Sequence, residues 1–185
     1  MRLFLASGFS AAVIARVREL QTFAAPHLGG TVKWVEPDNI HLTYAFLGEV
    51  PGDRAQAAIK SAERCAGLFK QIEVRLNGLG AFPSLERPAV LWLGLAESSP
   101  GSLKTLAQNL SAALAEEGFM PDLKFEPHIT IGRLKAPPAP GITGELRSKA
   151  AELAAASVIT SVEVLESRLG GAGPKYKILN STRLL

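Results

Sequence analysis

The chain alternates between two patterns of hydrophobic and polar residues, one with the period of a strand and one with the period of a helix. Val13, Val17 and Leu20 recur at helical spacing after Ser10, which can cap a helix, and a later helical run is closed by Gly118. The predicted elements, in chain order, are a strand over 2–7, a helix over 10–24, strands over 31–35 and 40–47, a helix over 54–69 capped by Asp53, strands over 72–76 and 90–95, a helix over 102–117, a strand over 125–134, a helix over 145–156, and strands over 158–165 and 176–179.

The order of these elements repeats along the chain. Each half shows a strand, a helix, a strand that carries a histidine, a helix and a strand, although side-chain identity between the halves is low. Two such halves facing each other would form one cleft with a histidine from each side. We therefore expect residues 1–185 to form a single domain of two lobes, each contributing one histidine motif.

The composition is that of a folded protein with a modest positive charge. The chain has 185 residues, of which 47% are hydrophobic, so it can bury a sizeable interior. Lys and Arg number 20 against 17 Asp and Glu, for a formal net charge of +3. This balance is consistent with an anionic ligand but is too weak to indicate a nucleic-acid surface by itself. The lone Cys65 excludes an internal disulfide and a thiolate metal cluster, and we expect it to be a small buried hydrophobe.

The first residues resemble a secretory signal only superficially. Gly8-Phe9-Ser10 interrupts the apolar run after Arg2, and charged residues follow at positions 16, 18 and 19. No segment reaches the roughly 20 uninterrupted apolar residues that span a bilayer. We expect a cytoplasmic protein with no membrane partner.

Two nearly identical tetrapeptides carry the chemistry. His41 begins HLTY and His128 begins HITI, so each histidine is followed two places later by a threonine, Thr43 or Thr130. Side chains at positions i and i+2 of a strand project from the same face. Each histidine is therefore predicted to point with its threonine into one space. The third histidine, His27, has no such partner and is expected in a surface turn.

A pair of imidazoles and a pair of hydroxyls suit phosphoester chemistry. Near neutral pH one imidazole can give a proton while the other takes one, and threonine hydroxyls can donate hydrogen bonds to phosphate oxygens. Either histidine alone would favour a satisfied core residue, and only the paired motif favours catalysis. Zinc binding is a further alternative, but no third ligand occurs at a recognisable spacing. We therefore expect neither a metal nor a cofactor.

At these residues the sequence resembles the two-histidine phosphoesterase superfamily, and specifically the RNA 2′,3′-cyclic phosphodiesterases, also called the 2′-5′ RNA ligase-like family. The resemblance spans nearly the whole chain, and the block around His41 is its most specific part. The matching segments are RLF at 2–4, WVEPDNIHLTYAFLGEV at 34–50, GLGAFP at 78–83, RPAVLW at 87–92, PHITIGR at 127–133 and ESRL at 166–169.

This resemblance implies a fold and a set of roles. The fold would be a two-lobed, pseudo-symmetric α+β domain, with an antiparallel sheet in each lobe, helices packed outside and the active site between the lobes. His41 would be the general acid that protonates the leaving ribose 3′ oxygen, and His128 the general base that activates water. Thr43 and Thr130 would hold the phosphate, and the product would be a 2′-phosphomonoester. The spacing of the motifs does not itself decide which histidine is the acid.

Further cleft residues are less strongly indicated. Arg133 would face away from His128 on an unbroken strand, but a bulge at Gly132 would turn it back toward a phosphate; an exposed cation is the equal alternative. The other candidates for the cleft lining are Arg168, Lys175 and Tyr176, for which a solvated hairpin is the alternative. Trp34 and Phe82 are candidates for stacking on a base, with a position in the core as the alternative. The glycine-rich stretch 170–175 lacks the Walker spacing and predicts a flexible turn.

The expected function is metal-independent hydrolysis of RNA 2′,3′-cyclic phosphodiester ends to 2′-phosphomonoesters. The alternatives are hydrolysis of other cyclic nucleotides, weak 2′-5′ RNA ligation, and a non-catalytic module that binds RNA ends. Pure binding would need charge more than a paired acid and base, which disfavours the last. The expected partners are RNA ends or nucleotides with a 2′,3′-cyclic phosphate, without an obligate protein partner, and we expect a monomer.

Overall fold

The computed structural model describes residues 1–121, 124–170 and 173–185 of the chain. Nine strands and four helices lie in these residues. The strands are β1 Arg2–Ser7, β2 Val32–Trp34, β3 Leu42–Glu49, β4 Ile72–Pro83, β5 Pro88–Glu97, β6 His128–Leu134, β7 Ala156–Ile159, β8 Ser161–Gly170 and β9 Gly173–Arg183; the helices are α1 Ala11–Leu28, α2 Ala55–Ala66, α3 Ser102–Glu116 and α4 Ile142–Glu152.

The strands form two antiparallel sheets, which confirms the predicted two-lobed α+β fold. The four-stranded sheet has the order β3-β1-β8-β9, and the five-stranded sheet has the order β2-β6-β5-β4-β7. The prediction that each half of the sequence builds one lobe is wrong. Each sheet takes strands from both halves, because β8 and β9 at the end of the chain pair beside β1, while β4 of the first half pairs with β5 and β7.

Helices pack on the outside of both sheets. Helices α2 and α3 pack against each other and against the four-stranded sheet, and α1 and α4 do the same on the five-stranded sheet. The apolar stripe of α1, formed by its buried residues Val13, Val17, Leu20, Ala24 and Leu28, shows why this helix forms. Its N-cap is Ser10, whose side chain accepts a hydrogen bond from the Val13 amide.

Several predicted boundaries are wrong for identifiable reasons. Helix α1 continues through Pro26 to Leu28, because burial of Leu28 extends the apolar stripe and offsets the missing amide donor. The predicted strand over 158–165 is two strands, since the chain leaves the five-stranded sheet at Ile159 and enters the four-stranded sheet at Ser161. Helix α4 begins and ends earlier than predicted, and β4 and β9 are longer.

Within the predicted turn over 170–175, residues 171 and 172 lie outside the described residues, while the flanking positions belong to β8 and β9. Among the described helices, none is both long enough and apolar enough to cross a membrane.

Candidate active site

Both histidine motifs open into one cavity between the two sheets. The cavity has a volume of about 1000 Å³, and its walls include residues of β2, β3, β6 and β9. His41 and Thr43 line it from the four-stranded sheet, and His128 and Thr130 line it from the five-stranded sheet. The structure therefore brings the two motifs together in one cavity, although 87 positions separate the two histidines, and likewise the two threonines, in the sequence.

His41 lies immediately before β3 rather than inside the predicted strand. Its Nδ1 is 2.6 Å from the backbone carbonyl of Asn39. The ring contacts Phe4 at 5.2 Å between centroids, and Tyr176 meets it edge-on at 5.3 Å. Burial lowers the pKa of His41 below its ordinary value, and the charge of His128 lowers it further, against the opposing effect of the Asn39 hydrogen bond.

His128, the first residue of β6, has a matching environment. Its Nδ1 is 2.6 Å from the backbone carbonyl of Glu126, again two residues earlier in the chain. Phe82 meets this ring edge-on at 5.3 Å, and the Trp92 ring lies 5.9 Å away. The two lobes thus hold their histidines in the same way, with a carbonyl on Nδ1 and two aromatic rings alongside.

The carbonyl contacts settle which ring nitrogen can react. A carbonyl oxygen only accepts hydrogen bonds, so Nδ1 carries the proton in both histidines. In the neutral form, Nε2 is then the atom with the free lone pair, and in the charged form it carries the second proton. The arrangement presents two Nε2 atoms that can accept or donate a proton.

The two threonines have hydroxyls available for a ligand. Thr43 and Thr130 are half-buried in the cavity wall. Across residues 1–121, 124–170 and 173–185, neither hydroxyl hydrogen-bonds to another protein group. A hydroxyl at a site of this kind can donate to a phosphate oxygen without first breaking a protein hydrogen bond.

Arg133 lines the same cavity because β6 is bulged. Gly132 lies opposite Leu91 and Thr130 lies opposite Trp92, which leaves Ile131 as the extra residue. The bulge reverses the alternation of side chains, so position 133 returns to the face of His128.

The bulge is supported by a helix that the sequence analysis did not connect to the site. Gln21 of α1 donates from Nε2 to the carbonyls of Ile131 and Val35, at 3.0 and 2.8 Å. The Val35 amide also donates to the Ile131 carbonyl. A lone glutamine on a helix gives no sequence signal for such a role, because its partners are backbone atoms.

The wall behind His128 depends on glycines. The Trp92 ring lies flat over Gly80, where a Cβ atom would come within 2.1 Å of it. On the next strand, the position opposite His128 is Gly94. The Trp92 Nε1 atom is buried, with no hydrogen-bond partner in the described part of the chain. Gly80, in the GLGAFP segment, therefore leaves space for the Trp92 ring, which lies beside His128.

The remaining sequence candidates divide into two groups. Trp34, Phe82, Lys175 and Tyr176 line the cavity. Arg168 does not line it and instead pairs with Glu166, with an N–O distance of 2.8 Å. His27 lies in the last turn of α1, outside the cavity, rather than in a turn.

The acidic residues of the cavity do not form a recognisable ligand set. Glu36, Asp38 and Glu126 line the walls. In the parts of the chain that the structure describes, no three His, Cys, Asp or Glu side chains are grouped so that they could hold a metal ion. Metal independence stays a prediction for a chelator experiment to test.

Comparison with known proteins gives a consistent family. The model of the LigT like Phosphoesterase family matches residues 9–92 and again residues 93–176, so each half of the chain matches it once. Among curated relatives, the RNA 2′,3′-cyclic phosphodiesterase of Archaeoglobus fulgidus is 33% identical over 97% of this chain and 98% of its own. The enzyme of the same name from Thermus thermophilus is 35% identical over 100% and 90%.

Solved structures agree with the sequence relatives. The crystal structure of TT0787 from Thermus thermophilus has a TM-score of 0.82 and 30% identity, covering 100% of this chain and 98% of its own. Escherichia coli LigT complexed with 3′-AMP has a TM-score of 0.72 and 25% identity, covering 99% and 97%. The predicted resemblance is thereby confirmed.

Proposed function

Because the chain belongs to the LigT-like phosphoesterase family, its activity is hydrolysis of 2′,3′-cyclic phosphodiesters, and we propose that His41 and His128 carry out this reaction on RNA ends as acid and base. The observation that carries the proposal is the matched pair of histidines in one cavity, each with Nδ1 on a carbonyl and near a threonine whose hydroxyl has no hydrogen bond to the described protein groups.

The proposed reaction is an in-line displacement at phosphorus. His128 Nε2 takes a proton from water as its oxygen forms the new P–O bond. The bond from phosphorus to the ribose 3′ oxygen breaks, and His41 Nε2 gives its proton to that oxygen. The products are a 2′-phosphomonoester and a free 3′ hydroxyl. The acid and base assignment is carried over from the family, and the local geometry of the two histidines is too similar to reverse it.

Three side chains are proposed to hold the phosphate. Thr43 and Thr130 would donate hydrogen bonds to its non-bridging oxygens from opposite lobes, and Arg133 would balance its negative charge. Negative charge grows on these oxygens as water adds, so the contacts strengthen in the transition state. The ring strain of the cyclic diester and this positioning reduce the need for a metal-activated water.

The proposed in-line displacement also predicts where the nucleoside binds. The leaving 3′ oxygen belongs to the ribose, so the ribose and base lie on the side of the acid, His41, and the attacking water lies on the side of His128. Phe46 lines the cavity on the His41 side, 62% exposed and packed on Phe4. We propose that the terminal base stacks on Phe46.

Replacing Phe46 with leucine is expected to raise KM for adenosine 2′,3′-cyclic phosphate by about tenfold, with a smaller rise for the uridine analogue. Stacking of one base on an aromatic ring contributes roughly 1–3 kcal/mol, and a purine offers the larger face. Steady-state kinetics on both substrates checks this, with Leu68→Ala, another exposed apolar side chain, as the control. An unchanged KM for both substrates would place the base elsewhere.

The pH dependence follows from the burial of His41. Because burial lowers its pKa, His41 in the free enzyme is expected to titrate below the usual histidine value of about 6.5. The kcat/KM profile should be bell-shaped, with one limb at this lowered pKa. Tyr176→Ala admits water beside the ring and should move that limb upward, toward the ordinary value.

Titration of the imidazole C–H signals by NMR, assigned with His41→Ala, measures this directly. A His41 pKa above 6.5 in the free enzyme, or a rate that rises steadily through neutrality, would contradict the expectation. Bound phosphate should have the opposite effect and raise the His41 pKa, because an anion stabilises the imidazolium.

We also propose that the chain acts as one domain and as a monomer in the cytoplasm. The site draws both histidines from one chain, which supports completeness without a second copy. The single cysteine, Cys65, is buried in α2 and unpaired, which is typical of proteins of reducing compartments.

A further inference from the structure

Two positively charged residues of the cavity wall lie at paired positions on neighbouring strands. Lys33 on β2 pairs directly with Arg133 on β6, and both side chains are exposed and line the cavity. Like charges directly opposite each other on neighbouring strands destabilise a sheet. A bound anion would therefore stabilise this pair of positive charges.

The described part of the chain does not supply that anion at this position. Among residues 1–121, 124–170 and 173–185, no carboxylate oxygen lies within 4.0 Å of the Lys33 ammonium or the Arg133 guanidinium. Glu36, Asp38 and Glu126, which line the cavity wall, are included in this statement.

Lys33 also reaches the opposite lobe. Its Nζ lies 3.4 Å from the position that a Cβ atom on Gly173 would occupy, at the start of β9. Arg133 lines the same cavity as Tyr176 of β9, and its charge lowers the pKa of Tyr176, against the larger effect of burial, which raises it. The cation pair thus lies near the lobe of His41, where the proposed mechanism places the nucleoside.

One phosphate does not account for all of this charge. A cyclic phosphodiester carries a single negative charge, and the proposed function already gives it two threonine hydroxyls and Arg133. Lys33 is then an additional cation. A cavity of about 1000 Å³ is also at the upper end of the range for small-molecule sites, so it has room for more than a terminal nucleotide.

We propose that Lys33, beside Arg133, forms a second phosphate site that binds the internucleotide phosphodiester on the 5′ side of the terminal nucleotide. This inference rests on the proposed function and adds a substrate preference to it. The enzyme prefers an RNA chain with a cyclic end over a cyclic mononucleotide, because only the chain carries the second phosphate.

The test compares three substrates that share the same reactive end. They are adenosine 2′,3′-cyclic phosphate, the dinucleotide ApA with a 2′,3′-cyclic phosphate, and the same dinucleotide with a neutral methylphosphonate linkage. The variants are Lys33→Gln and, as a control, Lys104→Gln, an exposed lysine on α3 outside the cavity.

For the wild-type protein and the control, we expect kcat/KM about tenfold higher for the dinucleotide than for the mononucleotide, the effect of one charge-assisted contact. In Lys33→Gln most of this preference for the dinucleotide should be lost. The wild-type protein should likewise show little preference for the methylphosphonate dinucleotide over the mononucleotide. The slope of log kcat/KM for the dinucleotide against log salt should also become shallower by about 0.7 in Lys33→Gln.

The outcomes separate the inference from the proposed function. The proposed second phosphate site is wrong if Lys33→Gln keeps the wild-type preference. It is also wrong if the methylphosphonate dinucleotide is as good a substrate as the dinucleotide with the charged linkage. If the wild-type protein turns over neither the mononucleotide nor the dinucleotide, the proposed function itself fails.

Discussion

Replacing either His41 or His128 with alanine is expected to lower kcat for a 2′,3′-cyclic phosphodiester by about 10³-fold. General acid and general base catalysis each contribute roughly 10²–10⁴-fold, and here both act in one step. For the same reason the double variant should be little worse than either single one, because the two groups act as a unit. Turnover of a cyclic-phosphate oligonucleotide in the presence of a chelator measures the loss.

The third histidine supplies the matched control. His27 is exposed at the end of α1, outside the cavity, so His27→Ala should keep the wild-type rate. Near-wild-type turnover by either cavity variant would show that the two-histidine mechanism is wrong. Loss of wild-type activity only when the chelator is added would instead point to a metal.

A substrate with a different leaving group assigns the two roles. An aryl ester of a nucleotide releases a weakly basic phenolate, which leaves without a proton. On this substrate His41→Ala should lose far less activity than His128→Ala, since only the base is still needed. The reverse result would exchange acid and base, and with them the side of the cavity that holds the nucleoside.

The parts of the site that the sequence could predict are those set by local spacing. A histidine and a threonine two places apart point the same way on a strand, and this relation needs no knowledge of the rest of the fold. This relation also holds at the end of a strand, because His41 lies just before β3 and still shares the cavity with Thr43. A bulge near Gly132 could also be anticipated, although the extra residue is its neighbour Ile131 rather than the glycine.

What the sequence could not predict depends on contacts between distant segments. The change of sheet between Ile159 and Ser161 shifts the buried positions from 157 and 159 to 162 and 164, but such a shift does not by itself indicate that the two strands enter different sheets. The support from Gln21 is equally hidden, since it donates to carbonyls rather than to side chains. The interleaving also affects the site: β1 and β8 come from opposite ends of the chain and pair with each other, and Phe4 of β1 contacts His41.

The internal repeat of the sequence is therefore clearer in the geometry around the two histidines than in the way the strands are connected. Each family-model match covers one half of the sequence, but the halves exchange strands to build the sheets. What they preserve is the local arrangement of the histidine, with a carbonyl two residues earlier on Nδ1 and two rings beside it. Aromatic neighbours differ in detail, and burial lowers the pKa of His41.

Replacing Thr43 or Thr130 with valine should lower kcat by about 10²-fold while leaving the free energy of unfolding nearly unchanged. Valine keeps the shape of the side chain but removes the hydroxyl that is proposed to donate to a phosphate oxygen, and the loss of one such donor costs roughly 10²–10³-fold. The fold should tolerate the change, because in the described chain neither hydroxyl makes a protein hydrogen bond. Serine at either position should restore most of the rate, and Thr160→Val, at an exposed position between β7 and β8, should behave as wild type. Chemical denaturation and single-turnover kinetics measure the two quantities, and a valine variant that keeps more than half of the wild-type kcat would remove that threonine from the proposed mechanism.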